Sequence, residues 1–138
     1  IDENRVEAIA DLMLPQARYR VQSRFNADRG LPHALIDAHS AAQLRDRIKS
    51  MRVANIYEPH HYRHIVSGVQ ITGGDGQLLE VRSSFLVVRT QELDGEMKVF
   101  ACGQCEDVID VTGAEPRFAS RLFRLDSRIV ETLLVIPL

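Results

Sequence analysis

The amino-acid sequence predicts an α+β fold in which helices pack on one side of a curved antiparallel sheet. Residues 78–126 carry most of this prediction, because apolar and polar side chains alternate there with the period of two that is typical of strands. The turn sequence Asp94-Gly95 and a second turn near Gly113 divide this stretch into three strands, which indicates an antiparallel meander. Upstream, two segments have the apolar spacing of amphipathic helices and are expected to cover the sheet.

The first helix is predicted over residues 2–13, and four apolar residues share one of its faces: Val6, Ile9, Ala10 and Met13. Pro15 is expected to end this helix, because proline disfavours the α conformation of the residue before it. Residues 19–24 alternate in polarity and include two β-favouring residues, so they predict a short strand. The glycine and proline within residues 26–32 predict a loop.

The second helix is predicted to begin at Ser40. The Ser40 hydroxyl can accept a hydrogen bond from a first-turn amide while Gln43 reaches back, which is the spacing of a capping box. Leu44, Ile48 and Met51 then recur at three- and four-residue steps and form an apolar stripe. Full burial of each of these side chains would contribute about 1.5–3 kcal/mol, so we expect the stripe to lie on the sheet.

Two further strands are predicted outside the meander. The first covers residues 62–71, with three apolar residues on one parity: Ile65, Val69 and Ile71. The glycine-rich residues 73–76 then form a turn into the meander. The second is a short apolar strand over residues 132–137 near the end of the chain.

Length and cysteine content indicate an ordinary intracellular domain. We expect one domain over residues 1–138, and the absence of an initiating methionine predicts that a few N-terminal residues are missing. The sequence contains no apolar run near the roughly 20 residues that cross a bilayer, so we expect no membrane contact. Two cysteines do not make a disulfide framework, which favours the reducing cytoplasm as the compartment.

The charge composition argues against one class of partner and favours another. A formal net charge of −2 argues against general attraction to nucleic acid. Only Lys49 and Lys98 among the 17 cationic residues are lysine, and the rest are arginine. Arginine is favoured at protein interfaces, where lysine is depleted. The bias indicates either an interface protein or a GC-rich genome, and the sequence leaves both open.

Two short motifs resemble metal sites but are incomplete. Cys102-Gly-Gln-Cys105 has the spacing of half a zinc site, yet residues three apart in a strand point to opposite faces. His60 and His64 share a strand face and could bind non-haem iron together with a carboxylate. No third ligand is evident, and Arg63 would place a positive charge beside the cation. We therefore expect structural cysteines and a hydrogen-bonded or interface histidine cluster.

Acid–base catalysis in a cavity is the other active possibility. A curved sheet wrapped on helices can enclose a pocket, to which Tyr19, Asp37, His39 and His64 could contribute acid–base groups. The sequence contains no G-x-S-x-G, H-E-x-x-H or P-loop motif that would place them together. The turn over residues 73–76 precedes a strand and not a helix, so it is not a phosphate-binding loop.

Seven short strings occur in order along the chain: YRVQSR at 19–24, DRGLP at 28–32, LRDR at 44–47, ANIYEPH at 54–60, YRH at 62–64, SRL at 120–122 and DS at 126–127. Together they resemble the small (beta) subunits of Rieske non-haem iron aromatic ring-hydroxylating oxygenases. The resemblance covers nearly the whole chain and implies a nuclear transport factor two-like (cystatin-like) cone, a curved antiparallel sheet around helices. The fold class reached from the alternation pattern is the same.

The resemblance also implies an assembly and a division of labour. In this family the oxygenase is usually a trimer of alpha–beta pairs, a hetero-hexamer whose beta subunits form a homotrimeric base. The large alpha subunit holds the Rieske 2Fe–2S cluster and the mononuclear non-haem iron, and a reductase supplies electrons from NAD(P)H. A Rieske cluster needs C-x-H and C-x-x-H pairs, which neither Cys102 nor Cys105 begins. We therefore expect no cofactor, no metal and no catalytic residue in this chain. Its expected contribution to the oxidoreductase is to position the alpha subunits.

The expected task is to hold alpha subunits in a ring, in an oxygenase acting on an aromatic carboxylate such as salicylate, anthranilate or terephthalate. Seven polar residues are candidates for the ion pairs and hydrogen bonds that join helix to sheet or subunit to subunit: Arg45, Asp46, Arg47, Arg63, His64, Arg121 and Asp126. The alternative for each is a solvated surface position, because exposed ion pairs contribute only about 0–1 kcal/mol. A stand-alone lyase or isomerase of the same fold and a ligand-binding dimer also remain open.

Overall fold

The computed structural model describes residues 1–54, 58–128, 134, 137 and 138. Nine elements follow one another in this part of the chain: α1 Ala8–Asp11, β1 Met13–Ser23, α2 Arg24–Ala27, β2 Ile36–Ala38, α3 Ala41–Ala54, β3 His60–Gly74, β4 Leu78–Gln91, β5 Met97–Asp110 and β6 Arg117–Leu125. None of the described helices has the length and apolar character needed to cross a bilayer.

The six strands form one sheet in the order β2-β1-β6-β5-β4-β3. Strands β3 to β6 pair antiparallel with their sequence neighbours, which confirms the meander predicted for residues 78–126. Strand β2 pairs antiparallel with β1, whereas β1 lies parallel to β6. This parallel pair departs from the predicted antiparallel sheet. A parallel pair needs a long crossover connection, and here α3 together with the meander provides it.

Helix α3 confirms the second predicted helix and its cap. The Ser40 Oγ accepts a hydrogen bond from the Gln43 amide at 3.1 Å, and the Gln43 Oε1 accepts one from the His39 amide at 2.7 Å. The return bond of the capping box therefore reaches one residue further back than the usual pattern. Leu44 and Ile48 are fully buried, as is Met51, so the predicted stripe lies in the core.

The core fills the face of the sheet that α3 covers, which we call the inner face. Alternate strand residues point into it, among them Val21 on β1, Phe85 and Val87 on β4, and Phe123 on β6. The strand predicted over residues 132–137 lies outside the described residues except for Leu134 and Pro137, which are both buried. The opposite face of the sheet, the outer face, is polar over much of its area.

The predicted helix over residues 2–13 is wrong beyond a single turn. Helix α1 has only four residues, Met13 already begins β1, and Pro15 lies inside that strand. The register between β1 and β6 shifts between Met13 and Arg18, so the missing N–H of Pro15 falls where the ladder is already irregular. The apolar residues of the predicted helical face are nevertheless buried, because the turns and the strand direct them into the same core.

The next two predicted segments, a strand over residues 19–24 and a loop over residues 26–32, are largely correct. Residues 19–23 are the second half of β1, and Arg24 already begins the single-turn helix α2, which takes in the start of the predicted loop. Ser23 ends the strand because its hydroxyl accepts a hydrogen bond from the Asn26 amide at 3.3 Å and caps α2.

Strand β3 is longer than the predicted 62–71. Partway along it, odd- and even-numbered residues exchange the faces of the sheet to which they point. Gly68 has φ of +59° and lies where the register jumps from Ser67 opposite Ser84 to Gln70 opposite Arg82. This bulge places an extra residue in β3, so the strand's alternation reverses beyond it. The prediction that Ile65 shares a face with Val69 and Ile71 is therefore wrong. All three side chains are exposed.

Candidate functional site

The two cysteines lie on opposite faces of β5, as their spacing predicts. Cys105 is buried on the inner face, whereas Cys102 is partly exposed on the outer face. The Cys105 thiol donates a hydrogen bond to Asp107 Oδ1 at 3.2 Å, and burial raises the pKa of this thiol to about 12. Cys105 is therefore protonated at neutral pH and is a poor nucleophile or metal ligand. The described residues include no group of three or more histidines, cysteines and carboxylates that could hold a metal ion.

A polar cluster on the inner face surrounds Arg121, one of the seven candidate residues. Its guanidinium carbon lies 4.4 Å from the ring centre of Phe118 and 4.9 Å from that of Phe123, and its Nε lies 3.3 Å from Asp107 Oδ1. Burial raises the pKa of Asp107, and the nearby guanidinium opposes that shift. The Tyr19 hydroxyl donates to the Leu138 carbonyl at 2.6 Å, and burial raises the Tyr19 pKa. An ion pair and a hydrogen-bonded tyrosine hydroxyl therefore lie close together inside the cone.

The histidine cluster of β3 shares one strand face as predicted. Tyr62 separates its two histidines, with ring centres 4.7 Å from His60 and 6.1 Å from His64. His60 Nδ1 lies 2.7 Å from the Glu58 carbonyl, and His64 Nδ1 lies 2.5 Å from Asp2 Oδ1. Because an aromatic ring lies between them and each Nδ1 is engaged locally, the two imidazoles do not converge on one cation. This cluster fastens the N-terminal segment to the sheet.

The four residues proposed for acid–base catalysis do not form one site. Tyr19 is buried on the inner face, whereas Asp37 lies on the outer face, since the register places it opposite Arg20 and not opposite Tyr19. His39 approaches Asp37 at 3.7 Å on that outer face. His64 is engaged with the N-terminal segment at the edge strand β3. The arrangement therefore separates the groups that a cavity mechanism would need together.

Three of the candidate interface residues lie on α3. Arg45 Nη2 donates to Asp11 Oδ1 at 2.8 Å, which joins α3 to α1 on the surface. Arg47 Nη2 donates to the Leu134 carbonyl at 3.1 Å and so ties α3 to the C-terminal segment. Asp46 is exposed and has no ion pair within the described ranges. Arg45 and Arg47 thus make contacts inside the chain, and a role of all three between subunits stays a prediction.

The other candidates lie on the strands or just beyond them. His64 contacts the Asp2 carboxylate twice: its backbone amide donates a hydrogen bond to one oxygen, and its Nδ1 lies within hydrogen-bond distance of the other. Arg63 is 76% exposed, with its Nη1 3.8 Å from that same carboxylate. Asp126 follows β6 and pairs with the Arg24 guanidinium at the start of α2. Arg63 is the one of these with most of its side chain free for a partner, and its interface role remains a prediction.

An ion-pair network on the outer face was not predicted from the sequence. Arg18 and Arg20 on β1 both reach Asp37 on β2, with nitrogen–oxygen distances of 2.7 and 3.5 Å. Arg124 on β6 reaches Glu106 on β5 at 2.9 Å. The Arg18 hydrogen bond lowers the pKa of Asp37, so the carboxylate is ionised at neutral pH. Arg18 and Arg20 are two residues apart in β1, so the sequence could have shown that they share a face. It could not have shown their partners, which depend on the strand register.

Exposed apolar side chains mark two further areas of the surface. One follows β3, which has no strand beyond it in the described sheet and exposes Ile65, Val66, Val69 and Ile71. The other is the end of the β4–β5 hairpin, where Leu93, Met97 and Val99 are exposed. A long edge strand with apolar side chains, and an exposed apolar group of this kind, are typical of surfaces that another protein covers.

The geometry alone does not distinguish an oxygenase subunit from a stand-alone enzyme or a ligand-binding dimer of the same fold. A comparison with protein families identifies the family. The family described as ring hydroxylating beta subunit matches residues 1–132. The chain belongs to this family. As a ring-hydroxylating beta subunit it is a component of an aromatic ring-hydroxylating dioxygenase and therefore of an oxidoreductase, as the sequence resemblance indicated.

Two curated relatives match all 138 residues of the chain. The anthranilate 1,2-dioxygenase small subunit of Burkholderia cepacia is 33% identical over 138 residues, which are 100% of this chain and 85% of the relative. The terephthalate 1,2-dioxygenase terminal oxygenase component subunit beta 2 of a Comamonas species is 34% identical over the same 138 residues and is covered to 89%. Their designations as small and beta subunits imply a larger partner subunit.

Solved structures confirm the cone. A beta subunit assigned to an aromatic-ring-hydroxylating dioxygenase of Novosphingobium aromaticivorans superposes with a TM-score of 0.89 at 31% identity, covering 99% of this chain and 86% of that one. A protein of the same organism assigned as a scytalone dehydratase gives a TM-score of 0.67 at 15% identity, covering 93% and 78% of the two chains. The second likeness concerns the fold alone. The nuclear transport factor two-like architecture is thus shared by proteins with different functions.

Proposed function

We propose that this beta subunit is the non-catalytic, structural component of its oxygenase and holds three alpha–beta pairs together as a hetero-hexamer. The family match over residues 1–132 carries this proposal, because the relatives are named as the small or beta subunits of dioxygenases. The exposed apolar areas on β3 and on the β4–β5 hairpin support it, since a subunit of a permanent complex needs surfaces that its partners cover.

The iron chemistry is assigned to the large alpha subunit. A Rieske 2Fe–2S cluster requires two cysteines and two histidines in close pairs, and Cys102 and Cys105 point to opposite faces of β5 with no histidine beside them. The donor groups of this chain therefore do not fit that cluster. The mononuclear iron likewise belongs to the alpha subunit in this proposal. The beta subunit would act by keeping neighbouring alpha subunits at a fixed spacing, with electrons arriving from NAD(P)H through a reductase.

The proposed substrate class is an aromatic carboxylate. Anthranilate and terephthalate, the compounds in the names of the two relatives, both carry a carboxylate on an aromatic ring. Oxygen uptake by the assembled oxygenase should be at least about tenfold faster with anthranilate, terephthalate or salicylate than with naphthalene at equal concentration, which corresponds to about 1.4 kcal/mol. Equal rates with naphthalene would contradict the substrate class without touching the structural role.

Co-expression with an alpha subunit of the same oxygenase family tests the structural role. We expect light scattering to give a complex of three alpha and three beta chains, and elemental analysis to find iron only when the alpha subunit is present. Stoichiometric metal on the isolated beta subunit would contradict the proposal. Turnover of a small molecule by the beta subunit alone would favour a stand-alone lyase or isomerase, and a dimer that retains a ligand would favour a binding protein.

A further inference from the structure

Phe25, in helix α2, lies between two arginines that come from distant parts of the chain. The guanidinium carbon of Arg29 lies 3.8 Å from the centre of the Phe25 ring, and that of Arg128 lies 3.7 Å from it. Both distances are van der Waals contacts, so the two groups would overlap on one face of the ring and must cover opposite faces. We call Phe25, Arg29 and Arg128 the arginine clamp. Its two positive charges are at most about 7.5 Å apart.

Neither arginine of the clamp has a carboxylate partner in the described part of the chain. The Arg29 Nη1 donates a hydrogen bond to the Phe25 carbonyl at 3.3 Å, whereas Arg128 makes no hydrogen bond or ion pair among the described residues. Both side chains are exposed. A guanidinium has five N–H donors, so nearly all the donors of the clamp remain open to a partner.

The neighbouring ion pairs are balanced and do not compensate the clamp. Three arginines and three carboxylates pair with one another beside it: Arg24 with Asp126, and Arg124 and Arg82 with Asp28 and Glu106. The pairs of Arg24 and Arg124 fasten α2 and the residue after it to β6 and to the residues that follow β6. Both arms of the clamp therefore extend from backbone that is held in place, and their two charges remain in excess.

The ring keeps the two arginines in one arrangement before a partner arrives. An exposed arginine is otherwise mobile, and ordering it at an interface reduces the affinity that its contacts supply. Stacking covers the flat faces of the guanidiniums but leaves their N–H edges free, and such an edge fits a carboxylate through two parallel hydrogen bonds. The clamp therefore suits a partner surface on which two carboxylates are spaced like the two guanidiniums.

A second copy of this chain is a poor source of two such carboxylates. Four of the described carboxylates have no side-chain ion pair or hydrogen bond, and each lies on a different segment: Asp46, Glu58, Glu80 and Glu115. The formal net charge of −2 argues against nucleic acid as the anionic partner. The alpha subunit is the other protein that the proposed function places against this chain.

We propose that the arginine clamp binds an acidic segment of the alpha subunit, with one carboxylate on the N–H edge of each guanidinium. This inference rests on the proposed function, in which alpha and beta subunits form a permanent complex, and it assigns part of their contact to three residues. Arginines are enriched among the few residues that dominate the affinity of an interface, and burial under a partner strengthens both stacking and charge pairing.

The double variant Arg29→Gln with Arg128→Gln removes both charges and tests the clamp in the co-purified alpha–beta complex. We expect the dissociation constant for release of the beta subunit, measured by sedimentation on dilution, to rise at least about twentyfold in low salt. This difference should shrink as the salt concentration rises from about 0.05 to 0.5 M, because salt screens the attraction that the variant lacks. Circular dichroism should show the variant folded, since both side chains are exposed.

Arg117→Gln is the matched control, because Arg117 is exposed, has no ion pair among the described residues and begins β6, whereas Arg128 follows the end of that strand. It should bind the alpha subunit like the wild type. Phe25→Leu keeps both charges and removes the ring that orders them. It should weaken the complex by a smaller factor, about threefold, and leave the salt dependence unchanged.

A complex of wild-type strength with the double variant would overturn this inference and leave the proposed function intact. Equal weakening by Arg117→Gln would reduce the effect to net charge and would overturn it too. If the double variant impaired only the self-association of isolated beta subunits, the clamp would belong to a second copy, and this inference would be wrong. A wild-type beta subunit that forms no complex with the alpha subunit would overturn the proposed function itself.

Discussion

Arg121 lies among aromatic rings on the inner face of the sheet, where the surrounding strand residues are mostly apolar. Its charge is compensated by Asp107, and the two rings of Phe118 and Phe123 face the guanidinium. Alternation along β6 predicts that Arg121 shares a face with Phe123, but it cannot reveal Asp107 as the partner. That pairing depends on the register in which Asp107 lies directly opposite Arg121. On β6 the faces of the residues were thus predictable, whereas their partners were not.

Replacing Arg121 by methionine should destabilise the chain by about 2–4 kcal/mol, because it leaves the Asp107 carboxyl buried without its counter-charge. The measurement is the free energy of unfolding from urea titration. The double variant Arg121→Met with Asp107→Leu should recover at least half of that loss, since no charge is then left unpaired. Arg63→Met, at an exposed arginine, should change stability by less than about 0.5 kcal/mol. A harmless Arg121→Met would show that this pair contributes little.

The Asp2–His64 contact predicts a specific acid sensitivity. Partial burial alone would raise the Asp2 pKa, but the hydrogen bonds from His64 outweigh it and lower the pKa below its ordinary value of 3.8. A carboxyl with a depressed pKa in the folded state stabilises fully above pH 3.8 and loses that contribution as the pH falls through the folded-state pKa. The difference in unfolding free energy between wild type and Asp2→Asn should therefore shrink below about pH 4. A constant difference down to pH 2 would contradict this account.

The elements differ in how far local sequence specifies them. The meander and α3 were predicted because a period of two and a spacing of three and four are strong local signals. The N-terminal helix failed because Val6, Ile9 and Ala10 have helical spacing but are buried through turns leading into β1. The reversal of faces in β3 depends on the backbone of Gly68. An isolated glycine within a strand often marks a bulge, so Gly68 was the available signal, although the alternation pattern alone does not show where the register shifts.

The cap of α3 should be worth about 1 kcal/mol to the folded chain. Ser40→Ala removes the oxygen that accepts the Gln43 amide, and solvent cannot fully replace it at a helix that packs on the core. Urea unfolding should show this loss. Ser50→Ala is the control within the same helix, because Ser50 is exposed in the helix interior, where alanine is the better helix former. The cap explanation fails if both variants shift the midpoint equally.

At the scale of the whole molecule, non-local pairing joins β1 and β2 to the meander in one sheet. The parallel contact of β1 with β6 brings the first and last described strands together, and the Tyr19 bond to Leu138 reaches across 119 residues. No local pattern predicts such pairs, so the cone itself came from the family resemblance and the layered class came from periodicity. The ion-pair network on the outer face arises in the same way, since β1, β5 and β6 each contribute an arginine or a carboxylate to it.

The two candidate residues with the fewest contacts inside the chain, Asp46 and Arg63, give the clearest test of assembly. Asp46 is exposed with no ion pair in the part of the chain that the structure describes, and Arg63 is 76% exposed beside Asp2. Asp46→Ala and Arg63→Ala should therefore leave the unfolding free energy of the isolated beta subunit within about 0.5 kcal/mol of wild type. If these side chains face other subunits, each variant should weaken hexamer formation about tenfold, because a polar partner across the interface loses its counter-charge.

Size-exclusion chromatography of the alpha–beta complex at decreasing concentration measures this dissociation, with iron content unchanged in the fractions that still contain the alpha subunit. Intact hexamers for both variants at every concentration would make these residues solvated surface positions, and the apolar areas of β3 and of the β4–β5 hairpin end would be the next candidates for the contacts between subunits.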